Sequence, residues 1–539
     1  MPVLARVLQR ACLALFLSLS SIGGAGAAPL PLPPDTLPLQ QGEPIPDWAA
    51  LGALYGASAS AYLWHSADGE ADQALIDALL RTIDEAVAQG LSAARYHDRR
   101  LVNEPGVARR DLLLSDALLR LITDMGQGQP EAGLQQRLWH LSRPEIDAVA
   151  MAQRALAERN PVGVVMELAP RTQEYKALTE LYQHYLLISR EQPLPALPNN
   201  LILQPGEQSE VVPLLRRYLV RQGDADPDPI AMATAPDLYD QPLVAALQRF
   251  QMRHGLEVDG VLGPKTLAEL NRPMSERLEQ IRVNLERWRW MPRELGARYI
   301  LVSPAGYFLE LVEAGQVVFY TRTITGRPRR PTPSFRSELN RLTVNPDWTV
   351  PRRIMREDLL PKIREDMGWL EQNRVRVQHF DEGRWRNVAA EQVDWVNPGH
   401  IRLIQAPGPN NALGRMKFGM NNPFSIYLHD TPSQSLFEKP LRPFSSGCVR
   451  VQGIESLVQY LLLDQPQMLD WLTEALAQEE TRIRSLPEPI PVFMVYLSVW
   501  IDDQGQAQFR PDIYGLDTQI LARIQHYSAV EYTDIVVNN

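Results

Sequence analysis

Ile426-Tyr427-Leu428-His429-Asp430-Thr431-Pro432 and, after a short loop, Arg442-Pro443-Phe444-Ser445-Ser446-Gly447-Cys448-Val449-Arg450-Val451 carry the reading that decides this chain. Strand alternation on the first stretch puts Tyr427 and His429 on one face, Leu428 and Asp430 on the other. A thiol at its ordinary pKa is mostly protonated at neutral pH, so Cys448 as a nucleophile needs a base. His429 can supply it as a thiolate–imidazolium pair. The two lie 448 − 429 = 19 positions apart, room for a loop that returns the cysteine to the end of the histidine's strand. Alternation turns Asp430 away from the imidazole and leaves a backbone carbonyl to orient the ring. Gly447 lets the chain pass close to a substrate, so the amides of Gly447 and Cys448 are candidate oxyanion donors. Tyr427 and Ser446 are expected to line the site. Arg450 either braces the loop or meets a substrate carboxylate.

Outward from these strands the pattern is mixed. Residues 299–302, 307–312 and 316–323 are rich in β-branched and aromatic residues with turn residues between them, and read as a strand meander. Residues 353–393, with helical character over 359–369, interrupt that meander. They read as an insertion able to cover a site. Strands resume at 401–405 and 425–429, a helix is predicted over 454–462, and a last strand over 492–501 precedes a hairpin at Asp503-Gln504-Gly505. The whole is bounded as a mostly-β domain over 276–520, with a tail over 521–539.

Upstream, the periods change. Apolar residues at Leu75, Ile76, Leu79, Leu80, Ile83, Ala86 and Val87 mark a helix that Gly90 can stop, and a second stripe runs through Leu114, Leu118, Leu121 and Ile122. Further helices are predicted at 146–157 and 171–187. Residues 48–205 therefore read as a helical scaffold domain without a catalytic constellation. Over 206–275, Phe250-Gln251 and Asp259-Gly260-Val261-Leu262-Gly263-Pro264-Lys265-Thr266 sit where turns between short helices need them. This region resembles the small three-helix peptidoglycan-binding module found beside cell-wall enzymes, a helper that supplies local concentration.

Residues 28–47 are proline-rich and nearly uncharged, an extended linker. Residues 1–27 hold Arg6 and Arg10, an apolar run and a small-residue end, which predicts a cleaved secretory signal peptide and a periplasmic location. Of the two cysteines, Cys12 falls inside that leader, leaving Cys448 as an unpaired thiol in an oxidising compartment. The alternative for such a residue is a small buried hydrophobe. At 45% hydrophobic and 22% charged the chain is neither disordered nor fibrous, and 539 residues call for several cores. A net charge of −10 argues against nucleic acid, and Arg327, Arg329, Arg330, Arg352 and Arg353 are expected to flank a site or bridge to acidic surface. No His-x-x-x-His pair with a nearby glutamate suggests a metal.

With its histidine, its spacing and its Ser-Ser-Gly-Cys-Val-Arg run, the stretch resembles the YkuD-like L,D-transpeptidase catalytic domain. Residues 284–290, 332–335, 345–348 and 411–414 extend the likeness across most of the chain, to a YcbB-like subfamily with scaffold, binding module and lid insertion. The fold class expected is thus multidomain α+β. Two positions depart: many members have histidine where Ser446 stands, and Ile404 replaces basic residues often found before Gln405. The resemblance implies a two-step acyl transfer on peptidoglycan tetrapeptide stems through a Cys448 thioester, giving 3→3 links, with no cofactor and with carbapenems as acylating inhibitors. Glycan-strand synthases are the candidate protein partners, and a monomer is expected. Water as acceptor would make the same site an L,D-carboxypeptidase or endopeptidase. A protein lysine is a further acceptor, and an inactive wall-binding scaffold is the reading from another class. A papain-like hydrolase fits poorly, because there the cysteine precedes the histidine.

Overall fold

A computed structural model describes residues 47–58, 60–129, 138–227 and 235–524. The expected signal peptide and nearly all of the proline-rich linker lie outside the described residues. The tail is reached only by the helix Leu516–Ile524. The described residues divide into two units, one of residues up to 129, 145–169 and 524, the other of 138–144 and 170–523.

The first unit is helical, built from Trp48–Gly56, Gln73–Ala88, Val107–Gln127, Ala148–Ala157 and Pro161–Glu167 with shorter turns between them. Asp47, Asp72, Asp147 and Asn160 each accept amide hydrogens of the turn they open, satisfying donors that a helix start leaves unpaired. Gly90, at φ +83°, follows the end of Gln73–Ala88 as its sequence suggests. Leu79, Ile83, Leu118, Leu121 and Ile122 meet in the core. Asp111 is buried there but fully engaged, accepting from Tyr55, His65 and the amides of Leu63 and Trp64.

In the second unit the strands are β1 (Trp139–His140), β2 (Arg298–Ser303), β3 (Phe308–Glu313), β4 (Gln316–Ile324), β5 (Ser334–Val344), β6 (Trp348–Thr349), β7 (Val375–Asp381), β8 (Arg384–Val388), β9 (Ile401–Gln405), β10 (Met416–Met420), β11 (Leu428–His429), β12 (Val449–Val451), β13 (Arg482–Met494), β14 (Val499–Ile501) and β15 (Ala507–Phe509). The main sheet runs β1-β5-β10-β11-β12-β4-β3-β2-β13, and β13 also pairs with β5, so the sheet closes on itself. β13 lies parallel to β2, with Val492 opposite Ile300, and antiparallel to β5, with Met494 opposite Phe335. Closure removes the open edges that a sheet otherwise exposes. Pro487 and Pro489 cannot donate to a ladder, and they fall where β13 shifts register between Ser485 and Ile490. Ile300, Val302, Leu311, Leu342, Phe418, Leu428 and Val449 form the core with the helices Ile454–Leu461 and Pro466–Leu476.

Two expectations change here. The strand 401–405 is not part of the barrel: β9 joins the separate sheet β6-β9-β7-β8, so the insertion runs from Trp348 to Gln405 rather than 353–393. It has its own core of Met355, Leu359, Ile363, Val377 and Leu403. The helical region 48–205 is also not one body. The helix Gln173–Ser189 belongs to the second unit, where the Arg289 Nε of Met274–Trp290 donates to Tyr175 at 3.2 Å.

The binding-module region holds the three expected helices, Val212–Arg221, Gln241–Arg253 and Pro264–Leu270. Its core extends upstream to Leu197, before the expected boundary at 206. Gln251 explains the motif: its oxygen accepts the Gly260 amide at 2.9 Å while its nitrogen donates to Asp259 Oδ1 at 2.9 Å and the Val261 carbonyl at 3.1 Å. The module is joined to the barrel's last hairpin. Arg253 donates to the Ala507 carbonyl, Arg510 donates to the Arg253 carbonyl, and His254 stacks on Phe509 at 5.2 Å.

Candidate active site

β11 lies between β10 and β12. Across it Lys417, His429 and Arg450 occupy one rung of the ladder. Tyr427 and Cys448 stand one position back, tied by the Val449 amide donating to the Tyr427 carbonyl at 3.1 Å. Because Leu428, Val449 and Phe418 are in the barrel core, period-2 alternation directs Tyr427, His429, Lys417, Cys448 and Arg450 to the opposite face. The five side chains drawn from three strands thus share one surface.

His429 is 5% exposed, and its Nδ1 donates to the backbone carbonyl of Asp430 at 2.6 Å. The Asp430 carboxylate turns away, accepting from the Arg415 amide at 2.9 Å and from Gln434, as alternation requires. The backbone carbonyl therefore fixes the tautomer with a proton on Nδ1. Burial, with Arg450 and then Lys417 adding like charge, pushes the imidazole down to about 3 against the Asp430 and Leu413 carbonyls. Cys448 keeps partial surface exposure but is crowded on its inner side, and this burial pushes its thiol up. The Tyr427 amide and hydroxyl, Lys417 and Arg450 oppose that shift. Its Sγ donates to the Ser425 carbonyl at 3.7 Å. Both shifts act against the thiolate–imidazolium pair expected from sequence.

The loop carrying the cysteine is held from behind. Gly447 has φ +116°, a conformation that favours glycine, and its carbonyl accepts from Thr332 Oγ1 at 2.7 Å. Its amide donates to Ser445 Oγ at 3.1 Å, and that hydroxyl donates to the Cys448 carbonyl at 2.5 Å. The Gly447 amide, an expected oxyanion donor, is thereby engaged by Ser445, while the Cys448 amide has no acceptor among the described residues. Ser446 Oγ accepts from Arg330 Nη1 at 2.7 Å, a bracing contact. Arg450 forms no ion pair among the described residues, and its Nε is buried without a hydrogen-bond partner.

The insertion reaches this surface at two points. Burial, then the charge and hydrogen bonding of Cys448, push the Tyr427 phenol up, while a hydrogen bond from Trp348 on β6 acts in the other direction. Arg330 donates to Glu357 at 2.6 Å and to Asp358 at 2.5 and 3.0 Å, so the guanidinium that braces Ser446 also holds the insertion. Arg353, expected to flank a site or bridge to acidic surface, pairs with Glu357 at 2.9 Å. Sequence reasoning missed Lys417, Trp348, Thr332 and Ser445. Lys417 had a signal only through its register opposite His429, which no local pattern reveals. Arg330 stood in the basic cluster expected to flank a site.

Comparison with known proteins places three domain families on the chain. Residues 297–469 match the L,D-transpeptidase catalytic domain, 49–181 the Scaffold domain and 208–270 the "Putative peptidoglycan binding domain". A Haemophilus influenzae protein named "Putative L,D-transpeptidase" is 34% identical over 245 residues, 45% of this chain and 49% of that protein. The chain thus spans about half the length of that curated relative. A crystal structure of the L,D-transpeptidase (residues 123-326) from Xylanimonas cellulosilytica shares 17% identity, covering 57% of this chain and all of that one. Its TM-score of 0.19 carries no argument. Residues 297–469, which hold Cys448 and His429, belong to the L,D-transpeptidase catalytic-domain family, accompanied here by a scaffold domain and a peptidoglycan-binding domain.

Proposed function

We propose that this protein is an exported, periplasmic L,D-transpeptidase that forms 3→3 peptidoglycan cross-links through a thioester on Cys448. The observation that carries the reading is the placing of Cys448 and His429 on one face of adjoining strands, with no acceptor for the Cys448 amide among the described residues. In this reading the Nδ1 proton held by Asp430 leaves Nε2 of His429 free to take the thiol proton. The sulfur attacks the carbonyl of the third stem residue, and the Cys448 amide donates to the oxyanion. His429 returns the proton to the amine of the departing terminal D-alanine. The side-chain amine of a second stem then attacks the thioester, loses a proton to His429 and releases the thiol. Acyl transfer of this kind needs no cofactor. The peptidoglycan-binding domain supports the wall as the substrate.

The test is to incubate the purified protein with disaccharide-tetrapeptide and resolve products by mass. A cross-linked dimer is expected, and Cys448→Ala and Cys448→Ser should each lose it by at least ~10³-fold. Tripeptide without dimer would replace the proposal with an L,D-carboxypeptidase. Substantial turnover by either variant would remove Cys448 as nucleophile. Intact-mass analysis should also show a carbapenem adduct on Cys448. Export is checked separately, by fractionation and by N-terminal sequencing of the mature chain.

A further inference from the structure

Lys417 stands on this face and pairs with no carboxylate among the described residues. It lies directly opposite His429 across the β10–β11 ladder, and its Nζ is 4.3 Å from the centre of the Tyr427 ring. That ring in turn meets His429 edge-on at 5.4 Å. The charged or titratable groups facing this ammonium are His429 from β11 and Tyr427 just before it, Cys448 and Arg450 at β12, and Arg341 from β5. None is an aspartate or glutamate. The Asp430 carboxylate, nearest in sequence, is turned to the Arg415 amide. A partly buried ammonium among cations and neutral groups is unfavourable unless some negative charge arises beside it.

In this arrangement one group can become that charge, the Cys448 sulfur. Burial lowers the Lys417 pKa, Arg341 lowers it further, and the Cys448 thiolate acts in the opposite direction. From the sulfur's side, Lys417 and Arg450 are the cations that oppose the upward push of burial. His429 is poorly suited to serve as a standing counter-ion, because the same burial holds its imidazole neutral. We propose that Lys417 is the electrostatic partner of Cys448, a positioning residue whose ammonium, resting on Tyr427, stabilises the thiolate. His429 then moves protons and Lys417 supplies the fixed charge. The inference rests on the reading of Cys448 as the nucleophile.

The test measures thiolate formation without peptidoglycan, so its result stands apart from whether the chain cross-links walls. Iodoacetamide alkylation of Cys448 is followed against pH by mapping its peptide, in the parent, Lys417→Met and Lys417→Arg. Methionine keeps the apolar stem and removes the charge; arginine keeps the charge. In Lys417→Met the midpoint should rise by about one pH unit and alkylation at pH 7 should fall ~10-fold. Lys417→Arg should stay within ~3-fold of the parent. If Lys417→Met does not unfold cooperatively, Lys417→Gln provides the neutral arm. A neutral variant whose profile superimposes on the parent's would overturn the proposal, as would Lys417→Arg behaving like Lys417→Met. A raised KM for tetrapeptide with an unchanged alkylation profile would also overturn it and make Lys417 a contact for substrate carboxylate.

Discussion

Glu310 on β3 is 9% exposed and has acids for neighbours. Burial, followed by the charges of Glu174, Asp503 and Asp502, pushes its carboxyl from 4.5 up to about 8. Below pH 4.5 both folded and unfolded chains hold this proton, so the group is neutral in its effect. Between 4.5 and 8 the unfolded chain has lost it while the folded one retains it, and stability falls as pH rises. Glu310→Gln should therefore match the parent near pH 5 and exceed it at pH 9, by on the order of 3 kcal/mol, in denaturant titrations at the two pH values. A gain independent of pH would refute the assignment. At Gly326 a Cβ would lie 2.2 Å from the Arg330 carbonyl and 2.7 Å from the Thr332 amide. Gly326→Ala must push this segment off the Ser445 bridge and disturb the seat of Gly447, so thiol reactivity at Cys448 should fall while far-UV signal is kept. Much of the site was legible at this scale. The Tyr427/His429 face and the outward turn of Asp430 follow from a period of two. The commitment of the Gly447 amide did not, because it depends on the rotamer of Ser445, and rotamers are set by packing.

The insertion is an element with its own sheet and core, hung on the barrel through β6 and β9. Its boundaries were misread for a physical reason: residues 401–405 alternate in the same way whichever sheet receives them, and only register says that Val375 pairs with Gln405. Its helical part carries a π turn, Met355–Leu359, just before Pro361, and that turn presents Glu357 and Asp358 to Arg330. Arg330→Met should release both contacts while leaving the insertion's core intact. Amide exchange over 348–365 is expected to quicken severalfold, with that of β13 unchanged. Unchanged exchange over 348–365 would mean that Trp348 and the strand connections hold the insertion without Arg330. Ser446 also loses its donor in this variant, so alkylation of Cys448 should be measured alongside exchange.

For the second unit as a whole, the binding module is packed onto the hairpin of β14 and β15. Phe509 receives both the stacked His254 and the Arg277 guanidinium at 4.9 Å, and it is 1% exposed. Phe509→Ala should cost about 3 kcal/mol and lower the melting temperature of module and barrel together. Two separate transitions, with the barrel unaffected, would show that the module folds independently of the barrel. The motif Phe-Gln with Asp-Gly was legible because Gln251 makes it a local network; the weld was not, because Arg253 and Ala507 are 254 positions apart. The closing strand β13 has a consequence in time. Ile300 on β2 is made 492 − 300 = 192 residues before its partner Val492. At ~5–20 residues per second, roughly 10–40 s separate the first strand's synthesis from its closure. During that interval β2 and β5 have edges open to other chains, and over its last 492 − 448 = 44 residues, roughly 2–9 s at ~5–20 residues per second, Cys448 has been made but is not yet held in a finished barrel. A newborn chain therefore carries an exposed, unguided thiol before it has a guided one, and its last-made strand sets when the hazard ends.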